Sequence, residues 1–510
     1  MIKRYNPTLF LVLILLLISG MYSCSNELPE TKEEVEEPYL LAFSLLQGLN
    51  PSQLIDDVEG TVVDDSIVEC WIPYIIKDKK LKPSIVVTGD GLLLLDGALY
   101  NEDVVDFSKP VELSIVGERC EKTYKVYVHT YTSLPILWIE TEKRAPIISK
   151  EEYINAHFRL EEGVVTRAPG DVIDKEIKIR GRGNHTWKVE PKKPYKVKFS
   201  EKVSLFDDPE DKTWALLANY YDKTMLRNAL VFYLGRLSAI DYTPRSHFVE
   251  LFLNGRYDGT YQLTENLKVS SNRVQGILLE VDRYATQEED ARYFNTPHLE
   301  FPVNIKDPDV EYDDETFNYV KDLVLKAENA IFSEDFTDPV KGWKAFFDVE
   351  SLVDWYIITE LAKDAEAIYM LCHMTIDNCG KINMGPLWDY DMCFGNYTSA
   401  TYAGCEQPQG FWLKETPWFK RLFEDPYFSL KVKDRVAYFW QKKEDMLYYI
   451  NNNASYLKYS ASENNNRWNI LYHPDQYYPR EYDIWGSYDN EVQNLKQWFV
   501  DRIDWMYSAL

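Results

Sequence analysis

The chain has 510 residues, 45% of them hydrophobic, which is more than one core can absorb and predicts two or three domains. Acidic residues outnumber basic ones by 82 to 56, and the net charge of -26 excludes nucleic acid or anionic lipid as a partner for the whole surface. A local basic pocket remains compatible with that charge.

Lys3 and Arg4, the apolar run Leu9 to Ile18 and the small residues Ser19, Gly20 and Ser23 give residues 1–23 the pattern of an export signal peptide. The run is too short for a comfortable membrane span. Cys24, followed by Ser25 and Asn26, resembles the acceptor of a bacterial lipoprotein, whose thiol takes a diacylglyceryl group. Residues 24–39 then form an acidic tether. The expected location is the bacterial cell envelope, lipid-anchored, at the outer membrane or cell surface.

Residues 40–132 read as an all-β module, with short β-rich runs separated by Gly, Asp and Lys-Pro turns. An immunoglobulin-like β-sandwich is the expected form, and spacing or binding its expected role. Beyond Cys24 lie six cysteines, and an exported chain permits disulfides. Cys70 with Cys120 and Cys372 with Cys379 are candidates, but the sequence leaves the connectivity open.

From residue 133 to 510, strands come first and helices afterwards, which predicts an α+β domain with two lobes and a cleft between them. Ile177–Arg180 and Tyr195–Phe199 alternate as strands. Phe248–Leu253 and Thr260–Leu263 pair across Asn254-Gly255, a type I′ hairpin signal. Leu278–Val281 extends the sheet. Lys223–Leu237, Asp313–Ile331 and Asp348–Leu361 have helical stripes, and the last hundred residues read as mostly helical and aromatic.

Asp389 and Asp391 stand two apart in Gly385-Pro-Leu-Trp-Asp-Tyr-Asp-Met-Cys-Phe-Gly-Asn396. A strand from Ile382 to Asp391 would turn both carboxylates the same way, where they repel unless a cation or basic partner intervenes. Mg²⁺ or Mn²⁺ for phosphate chemistry is one reading, and a solvated strand end the other. Arg180 and Arg182 alternate onto one face, as do Lys196 and Lys198, so facing strands would present four cations to phosphates, with Gly181 and Gly183 allowing backbone approach. The histidines, His185 and His373 among them, show no metal-ligand spacing and read as structural or surface residues. Trp187, Trp214 and Trp388 read as core residues.

Four blocks together resemble the CotH family of spore-coat-type proteins, which are atypical protein kinases. They are Arg180–Trp187 with Lys192–Phe199, Trp214–Asn219 with Met225–Asn228, Leu253–Asn266, and Trp388–Asn396. The resemblance runs from about Ile177 to the C-terminus and implies a kinase-like domain using ATP and Mg²⁺ (or Mn²⁺). By that match Asp389 and Asp391 hold metal, with Asp391 also catalytic. Asp364, in Glu360-Leu-Ala-Lys-Asp364, is the candidate base or second ligand. Lys363 beside it could neutralise developing charge. Lys196 or Lys198 should pair with Glu265, as kinases pair a strand Lys with a helix Glu. The expected function is an exported, membrane-anchored atypical kinase phosphorylating Ser or Thr of an exported protein. The alternative is a non-catalytic surface protein on the same scaffold, binding protein or cell-surface glycan.

Overall fold

The computed structural model describes residues 38–510 apart from 55–56, 64, 74–75, 77, 133, 162–171, 398–400 and 473–485. The signal peptide, Cys24 and nearly all of the acidic tether thus lie outside the described residues. Among those described, no helix is long and apolar enough to cross a membrane.

Alternation builds the first unit. Val111, Leu113 and Ile115 turn inward from one strand, Val111–Val116, and Tyr124, Val126 and Val128 from the next, Glu121–Tyr131. These two run antiparallel, while Glu121–Tyr131 runs parallel to Ile67–Pro73. A three-stranded and a six-stranded sheet share one core reaching from Leu40 to Val128. The unit abuts the following one through Trp71, whose ring lies 4.5 Å from that of Phe252 and 5.1 Å from that of Tyr257. Neither candidate disulfide forms: the six cysteines are free thiols. Cys70 and Cys372 are buried, whereas Cys120 and Cys379 lie nearer solvent, so each candidate pair is split between core and surface.

The second unit is a closed barrel. Its strands run in the order Ile136–Thr141, Ile154–Glu161, Val172–Gly181, Tyr195–Val203, Asp211–Leu217, Arg256–Glu265 and Ser246–Leu253. Parallel pairing of Ser246–Leu253 with Ile136–Thr141 closes it. The hairpin turn is as the sequence predicts, with Asn254 and Gly255 at φ 53° and 81° between antiparallel strands. Ile179, Val197, Trp214, Leu216, Tyr261 and Leu263 fill the interior. At one end the Trp187 ring closes on Gly181, where an added Cβ would come within 2.4 Å of it. Gly181 is therefore required for ring packing, and its N–H is already donated to Ser149 O at 2.8 Å, not offered to a ligand.

Ile277–Val281 does not extend the barrel, contrary to expectation. It is central in a separate five-stranded sheet, between Val303–Asp307 and Cys372–Ile376. Around that sheet the helices Arg227–Arg236, Glu315–Phe332, Val349–Ala362, Pro426–Gln441, Lys443–Trp468 and Tyr488–Ala509 bury one large apolar core. Asp348 caps Val349–Ala362 by accepting from Ser351 N at 2.8 Å, and Lys363 at φ 49° ends that helix in the left-handed conformation. The architecture is thus mixed α+β, a barrel beside a sheet wrapped in helices.

Candidate functional site

A cleft of about 420 Å³ opens between the mouth of the barrel and the helical half. The barrel side supplies Arg182 to Thr186 and Leu217 to Asn219, and the five-stranded sheet supplies Glu280 to Tyr284 and His373. The helical side supplies Asp364, Glu366 and the run Trp388 to Met392. Asp364, Asp389, Asp391 and Arg182 therefore share one cavity.

The acids do not reach it from a strand. Strand pairing stops at Met384, because Pro386 has no N–H to donate and Gly385 adopts φ 107°. Asp389 sits at φ 68°, a left-handed conformation that Asp tolerates better than most residues. This loop is held from behind by the Met225–Asn228 block. Asn228 Oδ1 accepts from Tyr390 N at 2.7 Å, and Arg227 Nε donates to Cys393 O at 2.9 Å. Asn396 Nδ2 donates to Asp391 O and to Tyr221 O, both at 2.8 Å. Two sequence blocks some 160 residues apart are thereby one piece of structure.

Electrostatics follow from that crowding. Burial, then the neighbouring Asp389, raises the Asp364 carboxyl to about 8. Burial together with Asp389, Asp222 and Asp364 pushes Asp391 well above the usual carboxylate range. Asp389 is open to the cleft, yet the protein around it displaces enough water to raise it too, with Arg182 and His373 pulling the other way. Arg182 itself lies 5.1 Å from the Trp388 ring, so this tryptophan is a cleft wall, not core. Trp214 is fully buried, as expected.

The other predicted cations split from this group. Arg180 pairs across the strands with Lys196, and Lys178 with Lys198, so Lys178 takes the place expected for Arg182 among the cations on the barrel's outer face. None of them lines the cleft. Arg180 donates to Lys150 O, lies 3.5 Å from Glu151 and covers the Tyr153 ring. Lys198 lines a separate surface depression with His157 and Glu176. Lys196 is lowered to about 8 by burial and by Arg180, Arg182, Lys198 and Lys306. Arg182 lies beyond the end of its strand, Val172–Gly181, and turns into the cleft.

Glu265 pairs with neither lysine. The register Val197–Trp214–Glu265 places it on the inward face, whereas Lys196 and Lys198 alternate outward. It also ends a strand, not a helix, and accepts from Arg245 N at 2.8 Å and Tyr242 Oη at 3.1 Å. Lys363 is likewise committed elsewhere, donating to the carbonyls of Gly404, Gln407 and Gln409 at 2.7 to 2.8 Å.

Several cleft residues went unforeseen. His373 lies 3.3 Å from Glu280, which also pairs with Lys306 at 3.0 Å. Burial works against the Glu280 charge, but Lys306 and His373 hold its carboxyl below the usual range. Asp222 supports the loop from beneath by accepting from Arg227 N at 2.7 Å and Thr224 N at 2.9 Å. An Asp two residues before a Thr at a helix start was the signal available for it. Nothing local marks His373 or Glu280, which strand pairing alone brings together.

A barrel and a helix-wrapped sheet enclosing a cluster of acids with two arginines define a mixed α+β protein with a polar ligand cleft. The CotH kinase protein family profile matches residues 179–506, and the chain belongs to that family. No curated protein matches it. Among solved structures it is similar to a DUF4623 family protein from Bacteroides eggerthii, at 14% identity over 28% of this chain and 35% of that one, with a TM-score of 0.16. It is also similar to a putative glycoside hydrolase from Bacteroides thetaiotaomicron, at 11% identity over 55% of this chain and 68% of that one, with the same TM-score. The chain thus spans about a third of the first of these. At such scores neither bears on the fold or the chemistry.

Proposed function

We propose that this protein is an exported, membrane-anchored atypical protein kinase that transfers phosphate from ATP to Ser or Thr hydroxyls of a surface or envelope protein. Family membership supports the reaction class. The observation that carries the reading is the meeting of Asp364, Asp389 and Asp391 in one cleft, where each carboxyl is destabilised by burial and two of them by the other acids. Acids that repel one another across a cavity fit a hard divalent cation, Mg²⁺ or Mn²⁺, with Asp389 and Asp391 as its holders. When bound, that ion neutralises charge on the nucleotide phosphates.

The chain's own residues supply the rest. Arg182 offers a guanidinium to phosphate oxygens from the barrel side, oriented by its cation–π contact with Trp388. Asp364 accepts the proton of the acceptor hydroxyl. Burial and Asp389 hold its carboxyl at about 8 even with Arg283 favouring the ionised form, so a bound cation is what would let it ionise at neutral pH. Arg180, Lys196 and Lys198 attract anionic ligands at the barrel's outer face. Cys24 carries the lipid anchor, residues 24–39 the tether, and residues 40–132 an immunoglobulin-like spacer. The partners are an exported protein acceptor and, through that spacer, cell-surface glycan.

Asp389→Ala and Asp391→Ala should abolish autophosphorylation of purified protein while leaving circular dichroism unchanged. Asp389→Asn separates charge from backbone, since Asn also accepts φ 68°. Continued incorporation of labelled phosphate by both alanine variants would show that the metal assignment is wrong.

A further inference from the structure

Arg283 and Glu366 face each other within the cleft. Arg283 follows the strand Ile277–Val281, and Glu366 lies in the 3₁₀ turn Ala365–Tyr369 that begins directly after Asp364. Their side chains form an ion pair between Arg283 Nη2 and Glu366 Oε1, with 27% and 33% of each accessible. The pair is thus neither locked in the core nor dispersed in solvent.

The guanidinium is held in place by more than Glu366. It lies 5.8 Å from the ring of Tyr284 and 5.8 Å from the ring of Phe301, and it hydrogen-bonds the Tyr402 side chain. Phe301 and Tyr402 each pack against Tyr369, with ring centroids 5.8 Å apart. An aromatic wall therefore fixes the arginine beside the acids, near enough to Asp364 to favour its ionised form. A flat guanidinium with five donors still has donors beyond those used by one carboxylate and one phenol.

Charge balance gives it a task. The cleft wall carries Asp364, Asp389, Asp391, Glu280, Asp282 and Glu366. Among the described residues, only Arg182, Arg283 and the histidines His185 and His373 oppose them from the lining. A nucleoside triphosphate entering this cavity brings more negative charge than a single divalent ion compensates. Arg182 approaches from the barrel, whereas Arg283 approaches from the sheet.

We propose that Arg283 binds the phosphate oxygens of the nucleotide and that Glu366 competes for it, setting nucleotide affinity through an exchange of one anion for another. The proposal rests on the nucleotide reading given above. Leaving Glu366 costs Arg283 one charge-assisted pair and phosphate returns one, while the Glu366 carboxylate, a third exposed, turns to solvent. The position of Glu366 two residues after Asp364 ties that exchange to the turn carrying the candidate base.

Titration calorimetry of the mature chain with Mg²⁺-ATP, and separately with adenosine, tests this. Arg283→Gln should raise the Kd for Mg²⁺-ATP about tenfold, the loss of a hydrogen bond to a charged group, and leave adenosine unaffected. Glu366→Gln should tighten Mg²⁺-ATP binding several-fold by releasing the arginine. Arg283→Lys, which keeps charge and bulk, should fall between wild type and Arg283→Gln and guards against misfolding of the glutamine variant. Wild-type binding with an unchanged Kd in Arg283→Gln would overturn the role of Arg283 and leave the nucleotide reading standing. No binding of Mg²⁺-ATP by the wild type would overturn both.

Discussion

At the scale of single residues, the family blocks combine ligand-facing and packing roles that adjacency in sequence conceals. Gly181 and Arg182 are neighbours, yet one is pressed against Trp187 and the other lines the cleft. Gly181→Ala should destabilise the fold by about 1–3 kcal/mol through overpacking, read by urea unfolding, because the ring has no slack at 2.4 Å. Lys192 is a second such residue. It is fully buried, donates to Thr260 O and to Asn464 Oδ1 at 2.9 Å, and so ties the barrel to the helix Lys443–Trp468. Burial lowers it from 10.5 to about 7, with Asp258 and Glu250 only partly offsetting. The unfolded chain then keeps this proton up to about 10.5 while the folded chain releases it near 7, so the Lys192 contribution to stability rises with pH across that window. Lys192→Met should flatten the rise in unfolding free energy between pH 7 and 10 relative to wild type; an unchanged slope would place the titration elsewhere.

At the scale of elements, strand parity decided which basic and acidic side chains could meet. Alternation correctly placed Lys196 and Lys198 on one face, and the observed register gives them Arg180 and Lys178 as cross-strand neighbours. Glu265 follows the opposite parity and is sealed with Arg245 and Tyr242. The sequence contained no means of knowing that register, since the partner strand Asp211–Leu217 intervenes between them. The Asp-x-Asp run was expected as a strand and is a loop braced by the helix Arg227–Arg236. Asn228→Ala leaves the Tyr390 N–H without its acceptor and Asn219 without its donor, in a site where Asn228 is 3% exposed. We expect a loss of about 1–3 kcal/mol in unfolding free energy. Weakened Mg²⁺-ATP binding should accompany it, because the bracing of the acids loosens with it.

At the scale of the whole molecule, the three largest cores belong to the N-terminal sheets, the barrel and the helix-wrapped sheet. The helix Lys443–Trp468 returns late in the chain to close on the barrel, with Ser460 Oγ donating to Glu250 at 2.6 Å and Trp468 Nε1 to Asp258 O at 2.7 Å. Thr130 of the N-terminal unit donates to Glu463 of the same helix at 2.9 Å, so that helix touches all three. The proposed lipid anchor is tested at this scale as well. Cys24→Ser should release the full-length protein from the membrane fraction, and its retention there would mean that the apolar run Leu9 to Ile18 is itself the anchor.

By itself, the sequence determined what local chemistry can carry: strands by alternation, helices by their apolar stripes, the Asn254-Gly255 turn, and the motif blocks that mark the CotH kinase protein family. Asp389 and Asp391 stand out in the sequence as an acidic pair two letters apart, whereas Asp364 is singled out only by the resemblance of its loop to the family. Only the tertiary structure decided which cations join them, because Arg182, Arg283 and His373 reach the cleft from three separate stretches of chain. Their meeting depends on strand register and on how barrel and sheet abut, and neither is encoded within any one segment.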